Sequence, residues 1–236
     1  MSYTLCSQKI VLPLPDDIKN IYSNGKHERH EDSASFDGRV RSFPHEEGNW
    51  ATSIYACYDC DDDNFIHLKQ ELFKCLYPHE FKVMEDYHVS LSRTVTVRHH
   101  WIEDISKMLT KKFSNIKGCC CEVDNVDILV NDEKTRSFLV LTVCSANDVL
   151  EQYVSVVDEC FEEYKLQKYY QPPKFHVSIG WCLGDVTEKI SSKTYKKLKD
   201  VLNVGLQESS DLKYFFIDEL NMKTGNKKFV FKLDSD

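Results

Sequence analysis

Apolar and polar residues recur with a clear period from about Arg39 onward, and before that point they do not. In DDDNFIHLKQELFKCLYP (61–78), Phe65, Leu68, Leu72 and Leu76 share one side of a helix that starts with acids and stops at Pro78. HHWIEDISKMLTKKF (99–113) repeats the spacing with Ile102, Ile105, Leu109 and Phe113. A third stripe runs through Leu150, Tyr153, Val154, Val157, Phe161 and Tyr164, with Asn147 placed to cap it, and a weaker helix is expected near 186–203. Runs rich in β-formers lie between these segments: NWATSIYACYD (49–59), YHVSLSRTVTV (87–97), CCCEVDNVDILV (119–130), SFLVLTV (137–143) and FHVSIGW (175–181). The turn NDEKTR makes a hairpin of the third and fourth, and LKYFFIDEL and KKFVFKL close the chain around KTGN. Strands and helices mixed in two similar halves predict an α+β fold. Two pseudo-symmetric lobes, each with an antiparallel sheet, would flank a central groove. The helix stripes are ordinary core.

Residues 1–37 break the pattern. SNGKHERHEDSASFDG is polar with mixed charge, so a flexible arm is expected there, followed by a two-lobed domain over 38–236. At 236 residues, 42% hydrophobic and 12% aromatic, the chain can bury a sizeable core. Its formal charge of -8 argues against an extended grip on a nucleic-acid duplex, but not against a few local contacts to the end of one strand. No apolar run is long enough to span a membrane and no signal-peptide pattern is present, so an intracellular protein is expected. The ten cysteines do not form a disulfide framework. A zinc ribbon from Cys57 and Cys60 with Cys119, Cys120 and Cys121 would lack its second two-residue gap, so reduced, packed thiols are the better reading.

The candidate chemistry lies in a repeated phrase, HVSLS at 88–92 and HVSIG at 176–180. Side chains alternate along a strand, so His88 and Ser90 share one face, backed by Val89 and Leu91 on the other. His176 and Ser178 do the same, backed by Phe175, Val177, Ile179 and Trp181. A single histidine on a strand is more often structural, and the other seven are read so. Two copies, each after a helix and each on an apolar backing, point to convergence on one phosphate. One neutral imidazole can take a proton from an attacking hydroxyl while the other, protonated, gives one to the departing oxygen. The serines can donate to the non-bridging oxygens. No acid or cysteine stands beside either histidine at metal-ligand spacing. The approach to the second copy, KLQKYYQPPKFHVS, sets Lys165, Lys168 and Lys174 around Tyr169 and Tyr170, a combination suited to a stacked base and a phosphate.

These residues resemble the two-histidine phosphoesterase superfamily, whose signature is a pair of H-x-[ST] motifs. GRVRSFPHEEGNWATSIY (38–55), RHHWI (98–102), NDEKTRSF (131–138), YYQPPKFHVSIGWCLGD (169–185) and TGNKKF (224–229) together resemble the U6 small nuclear RNA phosphodiesterase family, over about 38–233. The resemblance implies a nuclear, metal-independent 3′-to-5′ exonuclease, without cofactor, that trims the oligouridine tail of U6 small nuclear RNA. The product would end in a 2′,3′-cyclic phosphate or a 3′-phosphate. It further implies His88, Ser90, His176 and Ser178 as catalytic residues and Tyr170 as the base-stacking residue. Residues from Tyr170 to Ser178, Phe175 and Val177 among them, and Val89 would line the terminal nucleotide. Lys174 and Asp132 stand by that nucleotide where the family carries a small residue and an amide. The expected partner is a single-stranded RNA 3′ end, the expected state a monomer away from membranes. A cyclic-nucleotide or 2′-5′ phosphodiesterase would use the same four side chains; a silent RNA-end binder would need neither proton donor nor acceptor; a thiol-redox or zinc module on CYDC ranks behind both.

Overall fold

The computed structural model describes residues 48–59 and 62–234, so the arm expected at 1–37 and Cys60 of CYDC lie outside the described residues. Ten strands form one antiparallel sheet: β1 (Asn49–Cys57), β2 (Lys82–Val83), β3 (His88–Ser90), β4 (Val95–Arg98), β5 (Cys119–Val130), β6 (Arg136–Ser145), β7 (His176–Leu183), β8 (Tyr214–Ile217), β9 (Glu219–Thr224) and β10 (Lys227–Lys232). Their order is β10-β9-β1-β3-β7-β6-β5-β8, with β4 also on β1 and β2 also on β7. The two sheets expected from sequence are the two halves of this one, β10-β9-β1-β3 and β7-β6-β5-β8. They join at β3 and β7 through the rung Val89↔Val177.

Among the described residues five α-helices accompany the sheet: α1 (Asp63–Cys75), α2 (Ile102–Phe113), α3 (Val149–Glu163), α4 (Ser192–Glu208) and the short α5 (Ser210–Lys213). The stripes read from sequence are their inner faces. Phe65, Leu68, Leu72, Ile102, Ile105, Leu109, Phe113, Leu150, Tyr153, Val157 and Phe161 are buried in one core with Ile54, Val89, Val177 and Ile179 of the sheet. Asp62 caps α1 by accepting from Phe65 N–H at 2.7 Å, and Ser191 caps α4 through Thr194 N–H.

Several elements differ from expectation. Asn147 does not cap α3; it is left-handed (φ 56°), and the hydroxyl of Ser145 accepts from Leu150 N–H instead. The helix expected near 186–203 runs 192–208, because its capping serine lies five residues further on than the first apolar residue suggests. YHVSLSRTVTV is two strands, since four residues, Leu91–Thr94, face only Ser53 and Ile54 between the rungs Tyr55↔Ser90 and Thr52↔Val95. In that bulge Ser92 Oγ accepts from Ile54 N–H at 2.8 Å, replacing a ladder bond, and the chain is thrown outward at Arg93. LKYFFIDEL also divides: Tyr214–Ile217 pairs with β5 at one end of the sheet, and Glu219–Thr224 pairs with β1 in the other half. Gly225, at φ 56°, makes the turn from β9 to β10, where an added Cβ would strike the Trp50 ring.

Candidate active site

Antiparallel counting outward from Val89↔Val177 sets His88 opposite Ser178 and Ser90 opposite His176. Each histidine therefore faces the serine of the other motif, and the four side chains form a square on one face of the sheet. Directly opposed Cβ atoms in such a pair lie about 4.5–5.5 Å apart and diagonal ones about 7–8 Å. Two imidazoles on that diagonal can reach opposite sides of one phosphate, with both hydroxyls beside it. The bulge that leaves Ile179 unmatched, between Leu139↔Gly180 and Val140↔Ser178, adds local twist next to the square.

The surrounding rows follow from the same registers. Asn221, Tyr55, Ser90, His176, Thr142 and Asn125 lie in line across six strands. Cys57, His88, Ser178, Val140 and Asp127 form the next line. The Tyr55 ring leans on that of His88, with centroids 5.0 Å apart. Burial raises the Tyr55 pKa, with the charges of Cys57 and Asp86 adding to it, so its phenol stays protonated. Asn221 is wholly buried and donates to Cys57 Sγ at 3.4 Å, while its Oδ1 has no partner among the described residues.

The two histidines differ in setting. Burial holds both below the ordinary histidine value. Around His88, the carboxylate of Asp86 opposes that shift, whereas His176 and Lys223 reinforce it. His176 has one further influence: its Nδ1 lies 2.8 Å from the carbonyl oxygen of Lys174, which favours the charged ring. A carbonyl can only accept, so Nδ1 carries the hydrogen and Nε2 is the nitrogen left for chemistry. Among the described residues, neither the Ser90 nor the Ser178 hydroxyl makes a hydrogen bond to the protein, so both are available to a ligand.

The aromatic pair before β7 divides its work. Tyr169 is 5% exposed, stacks on Phe175 with ring planes 13° apart, and donates its N–H to Asp158. Tyr170 is 41% exposed, and the Arg93 guanidinium lies 3.6 Å from its ring centroid. Asp132 holds Arg93 by an ion pair at 3.0 Å. The bulge after Ser90, the β5–β6 turn and the loop before β7 thus meet at one guanidinium.

The structure brings together His88, Ser90, His176 and Ser178, and gathers Tyr170 and Asp132 around Arg93. It does not bring the side chains of Val89, Val177 and Phe175 to the site. The valines are wholly buried on the opposite face of their strands, and Phe175 packs on Tyr169. Lys174 meets the site through its backbone carbonyl, its exposed side chain making no contact there. Lys168, one of the three lysines of that loop, is paired with Glu162 at 2.9 Å. Cys57 cannot share a metal with Cys119 to Cys121, because β3, β7 and β6 lie between their strands. No three histidine, cysteine or acidic side chains cluster as metal ligands among the described residues. Sequence reasoning missed Arg93 and Tyr55. Arg93 follows the first motif serine by three residues, but its direction depends on a bulge; Tyr55 required knowing that β1 borders β3.

Residues 12–232 match a family model described as HVSL, an uncharacterised conserved protein. A protein of Mus musculus named U6 snRNA phosphodiesterase 1 is 33% identical over 228 residues, covering 94% of this chain and 83% of its own length. The chain belongs to the U6 snRNA phosphodiesterase 1 family. The family member of that name from Bos taurus is 35% identical over 225 residues, again over 94% of this chain and 84% of its own. Among solved structures, Usb1 of Kluyveromyces marxianus superposes with a TM-score of 0.54 at 16% identity, over 80% of this chain and 100% of that one, so the two share a fold.

Proposed function

We propose that the protein is a 3′-to-5′ RNA exonuclease of the two-histidine type that trims the oligouridine tail of U6 small nuclear RNA. In this reading it acts in the nucleus as a monomer and serves splicing through U6. The observation that carries the reading is the rung Val89↔Val177, which sets the two histidines and two serines in one square. The family's named activity supplies the substrate.

The chemistry follows from the square. The 2′-hydroxyl of the penultimate nucleotide attacks its own 3′-phosphate, and the terminal nucleoside departs through its 5′-oxygen. The attack is intramolecular, so alignment and two proton transfers suffice, with no metal needed to generate a nucleophile. His88, whose pKa is lowered by burial and by the charges of His176 and Lys223 against the pull of Asp86, takes the 2′-hydroxyl proton. His176, whose Nδ1 hydrogen bond to the Lys174 carbonyl favours its charged form, donates from Nε2 to the leaving oxygen. Ser90 and Ser178 donate to the non-bridging oxygens as charge gathers there. The leaving uracil stacks on Tyr170, which Arg93 and Asp132 hold in place. The product ends in a 2′,3′-cyclic phosphate; water can open it to a 3′-phosphate by the reverse proton transfers.

Mass spectrometry of a trimmed oligouridine tests this directly. A cyclic phosphate or 3′-phosphate end is expected, formed undiminished in EDTA, and no cleavage when the penultimate nucleotide is 2′-deoxy. Normal trimming of the deoxy substrate would remove the 2′-hydroxyl from the mechanism.

A further inference from the structure

The outer strands of the first half-sheet carry a charge arrangement that the reaction does not use. Lys223 of β9 and Lys228 of β10 are directly opposed, Lys223↔Lys228, and both are exposed. Like charges facing across a rung repel each other. Four rungs away on the same side of the hairpin, Lys232 and Glu219 are also opposed, and there the charges are opposite and form an ion pair at 2.5 Å. No such acid is provided for Lys223 or Lys228 among the described residues.

The pair shares the face of the catalytic square. Lys223 is opposite Ser53 of β1, two residues along from Tyr55, and Tyr55 is opposite Ser90. The charge of Lys223 lowers the pKa of His88 and that of Lys228 lowers the pKa of Cys57, consistent with side chains on that one face. Tyr170 is held by Arg93 of the bulge after Ser90, and Arg93 by Asp132 of the β5–β6 turn, so the ring lies by the β3–β7 seam rather than over the outer strands β9 and β10. An RNA with its last base on Tyr170 and its scissile phosphate at the square meets the lysine pair when it runs onward over the first half-sheet.

We propose that Lys223 and Lys228 form a subsite for the two phosphodiesters immediately 5′ of the scissile one. This rests on the exonuclease reading above. In a chain of net charge -8, the pair gives the upstream RNA a local cationic landing without an extended basic track.

The test compares pentauridylate, which has upstream phosphates, with the dinucleotide UpU, which has none. Its readout is the ratio of their kcat/KM values, so that any effect of Lys223 on His88 cancels. For the parent protein the ratio should fall about sevenfold between roughly 50 and 200 mM salt, the slope for two phosphates neutralised on a single strand. In Lys223→Gln/Lys228→Gln the ratio should be lower at the low-salt end and nearly flat with salt, with an unchanged thermal midpoint. A ratio and salt slope equal to the parent's would overturn the subsite and leave the exonuclease reading intact. Failure of the parent to turn over either RNA would overturn both.

Discussion

The two H-x-S strands are near copies in sequence and unlike in setting. His88 lies among charges, with Asp86 pulling its pKa up and His176 and Lys223 pushing it down after burial has already lowered it. His176 is buried too, but its remaining influence is a backbone carbonyl that fixes its tautomer and favours the proton. Beside the first strand stands Tyr55, ring to ring with the histidine; on the approach to the second stands Tyr170, braced by a guanidinium. A duplicated motif therefore does not mean a duplicated role. The square supplies two equivalent reach positions, and in the proposed mechanism the surroundings divide them into base and acid.

The strongest way to break that division is to remove each imidazole in turn. His88→Ala and His176→Ala should each lower kcat on oligouridine by about 10³-fold or more, with circular dichroism unchanged. On a uridine 3′-(4-nitrophenyl phosphate), whose leaving group needs no proton, His176→Ala should recover most of its loss and His88→Ala should not. The opposite pattern would exchange the two roles. Ser90→Ala and Ser178→Ala come next, each expected to cost about 10²-fold in kcat with little change in KM, as for one lost donor to a developing oxyanion.

The brace on Tyr170 gives a smaller effect. Arg93→Ala should raise KM for oligouridine by up to about tenfold, because the ring loses its fixed orientation and Asp132 is left as an unpaired anion beside RNA. Arg93→Ala/Asp132→Asn should regain part of that loss, and strict additivity in this double-mutant cycle would show that the pair does not act as a unit. The smallest effects are on pH. Asp86→Asn removes an attraction for the imidazolium of His88, so the acid limb of kcat/KM should move to lower pH while the basic limb, set by His176, stays. Stability should move as well. Both folded-state values lie below 6.5, so between those values and 6.5 the unfolded chain binds more protons, and a denaturant midpoint should fall as pH is lowered through that window.

What could be read from sequence was local. The inner faces of α1, α2 and α3 were legible because Phe65, Ile105 and Val157 belong to unbroken helical periods. The catalytic face was legible because alternation leaves little choice for His88 and Ser90. What escaped was non-local. Nothing in FHVSIGW indicates that Val177 pairs with Val89 rather than facing it across a cleft. LKYFFIDEL is apolar at both parities through Tyr214–Ile217, so alternation could not show that its two ends pair with strands in opposite halves of the sheet. Arg93 was obscured by four residues that form no rung, and Val89, Val177 and Phe175 were assigned to substrate although the same alternation that exposes the histidines turns them to the core.

The return of the hairpin β9–β10 to the border of β1 carries a cost in time. The strand bearing His88 emerges early in synthesis, yet the sheet that must hold it level is finished by segments made more than 125 residues later, at 219–232. A nascent or shortened chain that already possesses both histidines would still present β1 with a bare flank and an unsupported Tyr55. Support for the square thus waits on strands made after both histidines, and a copy that stopped short of them would hold every reactive group without the flank that levels it.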